Sequence, residues 1–118
     1  MGIKDATKYL PYTIAVDFDG TLVTDRWPEI GEPNQEVIDY VLEKQKYGAK
    51  LILWTSRTGS LLDAAVDWCS EHGIIFDAIN SNLPEVISAF GGRDSRKIIA
   101  DWYIDDKAFN TLSVAYAI

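Results

Sequence analysis

Short apolar runs that alternate with amphipathic, helix-periodic stretches constrain this chain more than any other feature. The first run, Tyr12 to Phe18, reads as a buried strand, after a lead-in of residues 1–11 that ends at Pro11. Residues 20–33 carry Gly20, Pro28, Gly31 and Pro33, the punctuation of an irregular loop or flap. A helix is expected from Asn34, a good N-cap, to Tyr47, with Val37, Ile38, Val41 and Leu42 facing the core and Gly48 as its stop. Lys50 to Trp54 reads as the second strand. Ser60 to His72 reads as a helix ended by Gly73, with Leu61, Leu62, Ala65 and Cys69 on one side. Ile74 to Ile79 is a third strand, and Pro84 opens a helix through Phe90 that Gly91 and Gly92 stop. Ala100 to Ile104 is a fourth strand, and Leu112 to Ala117 is a fifth strand or a short helix. Strand–helix alternation of this kind builds right-handed βαβ units and hence an α/β domain with a central parallel sheet.

With 118 residues there is room for one domain and one core, spanning residues 1–118, and not for two. No apolar run approaches the ~20 residues that cross a bilayer, so no membrane partner is expected. The N-terminus lacks a charged segment followed by an apolar one, and Cys69 is the single cysteine, a pairing that suits a reducing cytoplasm. A net charge of −7 argues against nucleic acid, which is bound through basic surface. The same acidity would repel a phosphorylated substrate unless a cation inverts the field at the site.

In parallel sheets, ligands bind beyond the carboxyl ends of the strands. Asp17, Asp19, Thr55, Asp105 and Asp106 all fall at expected carboxyl ends. Asp17 and Asp19, separated by a single residue, emerge from an apolar wall, where an unpaired charge costs several kcal/mol. A cation, a reaction, or both would justify them. Gly20 lets the chain turn there, and Thr21 can brace the turn. A calcium loop does not fit, because its sixth and twelfth positions would be Leu22 and Pro28. A phosphoacceptor receiver domain would place its lysine after the last strand tip, whereas Lys97 precedes Asp105 and Asp106.

Asp17-x-Asp19-Gly20-Thr21 resembles the nucleophile motif of the haloacid dehalogenase (HAD) superfamily. Leu51-Ile52-Leu53-Trp54-Thr55 resembles its second motif, Lys97 stands where its lysine would fall, and Ile104-Asp105-Asp106 resembles its acidic fourth motif. Residues 26–32 and Trp54-Thr55-Ser56-Arg57 are similar to segments of very small stand-alone HAD hydrolases of unknown substrate. The resemblance implies a Rossmann-like three-layer domain. It also implies a Mg²⁺-dependent phosphohydrolase with Asp17 as nucleophile, passing through an aspartyl-phosphate. An ordinary carboxylate, with a pKa of about 3.9, is ionised at neutral pH and needs no base to activate it.

By the same resemblance Asp19 is the general acid and base and also gives its main-chain carbonyl to the metal. Asp105 would be a direct metal ligand, with Asp106 direct or through water. Thr55 and its neighbouring amides would hold a phosphate oxygen, with Ser56 able to substitute. Lys97 would neutralise the transferring group, with Arg96 and Arg57 as rivals. Gly20, Ser56, Arg57 and Trp27 are the candidates for substrate contact, and Arg26 lies beside them in the flap. Trp54 reads as core, Cys69 as a small core filler, and His72 as a helix-end residue.

The spacing between motifs is largely consumed by core elements, so no cap domain is expected. An open site favours a large substrate or a second subunit covering it. Two alternatives stand beside the phosphatase: a phosphate- or metal-binding module without turnover, and a nucleotide or nucleic-acid end phosphatase.

Overall fold

The strand that organises the molecule is β1 (Thr13–Val16), all four of whose residues are buried. In the computed structural model, which describes residues 11–105, the chain continues through α1 (Gln35–Lys46), β2 (Lys50–Leu53) and α2 (Gly59–Glu71). It then forms β3 (Ala78–Ile79), α3 (Pro84–Ala89) and β4 (Trp102–Ile104). The described strands form one sheet in the order β3-β2-β1-β4, and every pairing is parallel. Val16 is in register with Leu53 on one side and Ile104 on the other, so three strands end level.

Period-2 alternation divides the side chains of this sheet between two cores. Ile14, Val16, Leu51, Leu53 and Ile104 pack with Ile38 and Val41 of α1 and Ala65 and Cys69 of α2. Ala15 and Ile52 face the other way, against Leu83, Val86 and Ile98, with Tyr103 packed on the same cluster. The result is a Rossmann-like α/β sandwich of three layers. Its elements follow one another without an inserted domain among the described residues. None of the described helices is long and apolar enough to cross a membrane.

Element boundaries depart from the sequence expectations where side chains replace backbone partners. The third strand shrinks to Ala78–Ile79 because Ile74 turns into the core and the Asp77 carboxylate accepts the Leu51 N–H at 2.9 Å. Asp101 does the same at the start of β4, accepting the Thr13 N–H at 2.7 Å, so that strand begins at Trp102. Asn34 sits at the N-cap of α1 but makes no side-chain cap; its Nδ2 instead donates to the Thr21 carbonyl at 2.9 Å. The expected element at Leu112–Ala117 lies outside the described residues, as does Asp106.

Two buried acids bear on stability. Burial pushes the Cys69 thiol up to about 12 from its ordinary 9.0. The Tyr40 hydroxyl, buried without a hydrogen-bond partner, is likewise pushed up to about 12, first by burial and then by Tyr12 and Glu43. Each group stays protonated in the folded chain after it would ionise in the unfolded one. The stability this contributes is complete below pH 9 and lost as pH rises towards about 12. Urea midpoints measured across pH 8 to 12 should fall progressively, and less steeply in Cys69→Ala.

Candidate active site

The three level strands end in a common row. The next residues along are Trp54 on β2, Asp17 on β1 and Asp105 on β4. The ladder continues into this row, since Trp54 N donates to Val16 O at 2.9 Å and Asp17 N to Ile104 O at 2.8 Å. Neighbouring strands lie ~4.8 Å apart, so Asp17 has an indole on one flank and a carboxylate on the other. Asp17, Asp19, Asp25, Trp54, Thr55, Ser56 and Asp105 line an open cleft of about 430 Å³ at this edge.

Beyond the row the chain turns tightly. The Phe18 carbonyl accepts from the amides of Thr21, Leu22 and Val23, and Gly20 turns at φ 83°. Thr21 Oγ1 points to Asp17 Oδ2 at 3.5 Å, a long contact. Phe18, between the two aspartates, is buried edge-on to Trp68 with ring centroids 5.7 Å apart. The spacer therefore anchors the loop in the core while its neighbours face the cleft. On the second loop, Thr55 N donates to Asn80 Oδ1 at 2.8 Å, and Thr55 Oγ1 accepts from Arg57 N at 3.1 Å.

Arg57 is the largest fully buried side chain among the described residues, and its guanidinium is inaccessible to solvent. Nε donates to Asp19 Oδ2 at 2.8 Å and Nη2 to Asp19 Oδ1 at 2.7 Å, a bidentate ion pair. The remaining donors reach the carbonyls of Pro28 at 3.1 Å, Glu29 at 2.9 Å and Leu61 at 3.4 Å. The cation lies over the Phe18 ring, 5.1 Å from its centroid. The hydrogen bond with Asp19 raises the Arg57 pKa further, against desolvation. Arg57 thus joins the first loop, the flap and α2, and it does not present a cation to the cleft.

No family model matches the chain, and no curated protein matches it. A solved structure, that of a conserved protein coded by a locus from Bacteroides thetaiotaomicron, is 43% identical and superposes with a TM-score of 0.72. The match covers 84% of this chain and 78% of that one. The chain belongs to the family of that conserved Bacteroides protein.

In this family member the remaining sequence candidates are scattered. Lys97 is exposed and is not among the residues that line the cleft; its carbonyl accepts from Ser95 Oγ at 2.7 Å. Arg96 is likewise exposed and off the cleft. Trp27 stands 59% exposed at the flap tip, before a cis Pro28, and neither it nor Gly20 lines the cleft. Arg57, expected as a substrate contact or a stand-in for Lys97, is corrected to a buried strut by its five side-chain hydrogen bonds. Trp54, read as core, is 41% exposed and lines the cleft.

Two residues of the candidate site carried no sequence signal strong enough to single them out. Asp25 lines the cleft, and its Oδ1 accepts the Trp27 N–H at 3.3 Å. Asn80, at φ 52°, positions Thr55; a left-handed Asn just after a strand is the cue that marks it. Among the described residues no group of three or more His, Cys, Asp or Glu is placed to hold a metal. Two carboxylates on adjacent strand tips suit magnesium, which takes one or two carboxylates and keeps several waters, better than a zinc or calcium cage.

Removing one partner of a buried pair leaves the other charge uncompensated. Arg57→Ala and Asp19→Ala should each lose about 3–5 kcal/mol of stability, measured by urea unfolding. The double variant should lose much less than the sum of the two.

Proposed function

We propose that this protein is a Mg²⁺-dependent phosphohydrolase that works through an aspartyl-phosphate on Asp17. The observation that carries this reading is the placement of Asp17 and Asp105 on neighbouring, level strand tips that share one cleft. Three carboxylates line that cleft besides Asp19, and among the described residues no lysine or arginine does. Such a lining repels a phosphate until a divalent cation is present. Asp17 and Asp105, with the main-chain carbonyl of Asp19, would hold Mg²⁺, which would offset the repulsion between the Asp17 carboxylate and the phosphate.

Asp17 Oδ attacks phosphorus, and the bond to the leaving oxygen breaks with its electron pair departing on that oxygen, which takes a proton from water in the open cleft. A water molecule then attacks the phosphorus of the aspartyl-phosphate and gives up a proton to solvent, and the electron pair of the broken bond returns to the Asp17 carboxylate. Thr55 and Ser56, on the loop fixed by Asn80, offer hydroxyls and amides to the phosphoryl oxygens. Asp19 is placed by Arg57 beside Asp17. The single buried Cys69 suits a reducing, cytoplasmic compartment.

One observation favours a module that binds phosphate or metal without turnover. Both Asp19 oxygens are engaged by Arg57, and Lys97 lies off the cleft. Hydrolysis of p-nitrophenyl phosphate separates the two readings. Turnover should require Mg²⁺, cease with EDTA, and fall at least a thousandfold (~10³) in Asp17→Asn. Metal binding without hydrolysis would leave the binding module standing instead.

A further inference from the structure

The exposed indole of Trp54 is the one aromatic surface in the described cleft, and neither the nucleophile nor a metal has use for it. Its position follows from the ladder. Leu51 and Leu53 face the α1–α2 core, while Ile52 faces the opposite side, so Trp54 continues the Ile52 side past the strand end. On that side β1 carries Ala15, in register with both Ile52 and Tyr103. The small alanine leaves the span between the flanking strands open. Trp54 leans across it towards Tyr103, with ring centroids 5.8 Å apart and planes at 60°.

Tyr103 is itself fixed. Its hydroxyl donates to the Ile98 carbonyl and accepts the Ala100 N–H at 3.3 Å. The indole therefore rests against a braced ring, and its other surface is left to solvent. Part of a large apolar ring is thus held in water beside the reactive groups, where a planar ligand could cover it. A cleft of about 430 Å³ lies within the ~300–1,000 Å³ of small-molecule sites. Every other described lining residue is polar, so among the described residues the indole is where the ring of a ligand would lie.

We infer that the cleft takes a phosphate monoester whose leaving group bears a planar ring, a mononucleotide in chemical class, with the ring stacked on Trp54. The inference rests on the phosphohydrolase reading for the phosphate end and on the aromatic shelf alone for the ring end. Asp25 lines the same cleft from the flap and offers its carboxylate to N–H or O–H donors on the base or sugar.

The test compares adenosine 5′-monophosphate with ribose 5-phosphate, which keeps the phosphate and sugar and lacks the base. With Mg²⁺, kcat/KM should favour the nucleotide by about tenfold or more, as stacking of one base provides. Trp54→Ala should reduce that ratio towards one, and Trp54→Phe, which keeps a ring, should retain most of it. A binding readout accompanies the kinetics: the nucleotide titrated into Asp17→Asn should quench tryptophan fluorescence, and the quench should vanish in the Asp17→Asn, Trp54→Phe double variant. Equal kcat/KM for the two substrates, or a ratio untouched by Trp54→Ala, overturns the inference while the phosphatase stands. Quenching without hydrolysis of any ester keeps the ring site and removes the phosphatase. Neither quenching nor hydrolysis removes both.

Discussion

A buried guanidinium cannot be left half-satisfied. The desolvation of Arg57 is offset only because five side-chain donors, each with an oxygen in range, converge on one point. Those oxygens come from the first strand loop, the flap and the start of α2. The requirement to satisfy one cation thus holds together three pieces of chain that the sheet alone does not connect. Asp19 faces the cleft yet has its side chain turned to this structural task. The chemistry proposed for Asp17 would proceed beside a carboxylate whose orientation is fixed by Arg57.

The sheet supplies the complementary constraint. Parallel strands in register end together, and the residue after each end is fixed by the pleat rather than by a loop. Asp17, Asp105 and Trp54 are neighbours for that reason, although they come from distant parts of the sequence. Backbone rigidity of this kind would suit the proposed reaction, which holds a nucleophile and a metal level with one another. Thr55, one residue beyond the row, needs the additional brace of Asn80.

Much of this was legible in the sequence. The runs Tyr12 to Phe18, Lys50 to Trp54 and Ala100 to Ile104 located three strands, and glycines at 48, 73 and 91 located the helix ends. What escaped was decided by single side chains acting over long distances. Nothing local marks Arg57 as buried, because its partners lie at Asp19, Pro28 and Glu29; arginine after a strand tip reads equally well as a substrate clamp. Asp77 and Asp101 shortened two strands by taking ladder amides with their carboxylates, an exchange that periodicity does not register. Trp54 read as core because a hydrophobic residue ending an apolar run usually is. Its exposure depends on the small Ala15 and the braced Tyr103 across the sheet.

The flap has a stem and a tip with different obligations. At the stem, Thr24 and Glu32 exchange hydrogen bonds at 2.8 and 2.9 Å, and a Cβ on Gly31 would collide with the Thr24 main chain. At the tip, Trp27 projects into solvent. A new side chain is therefore resisted where the loop departs and returns, and meets solvent at Trp27. Such a hoop can change its outermost side chain at Trp27 while the neighbouring carbonyls of Pro28 and Glu29 keep their hold on Arg57.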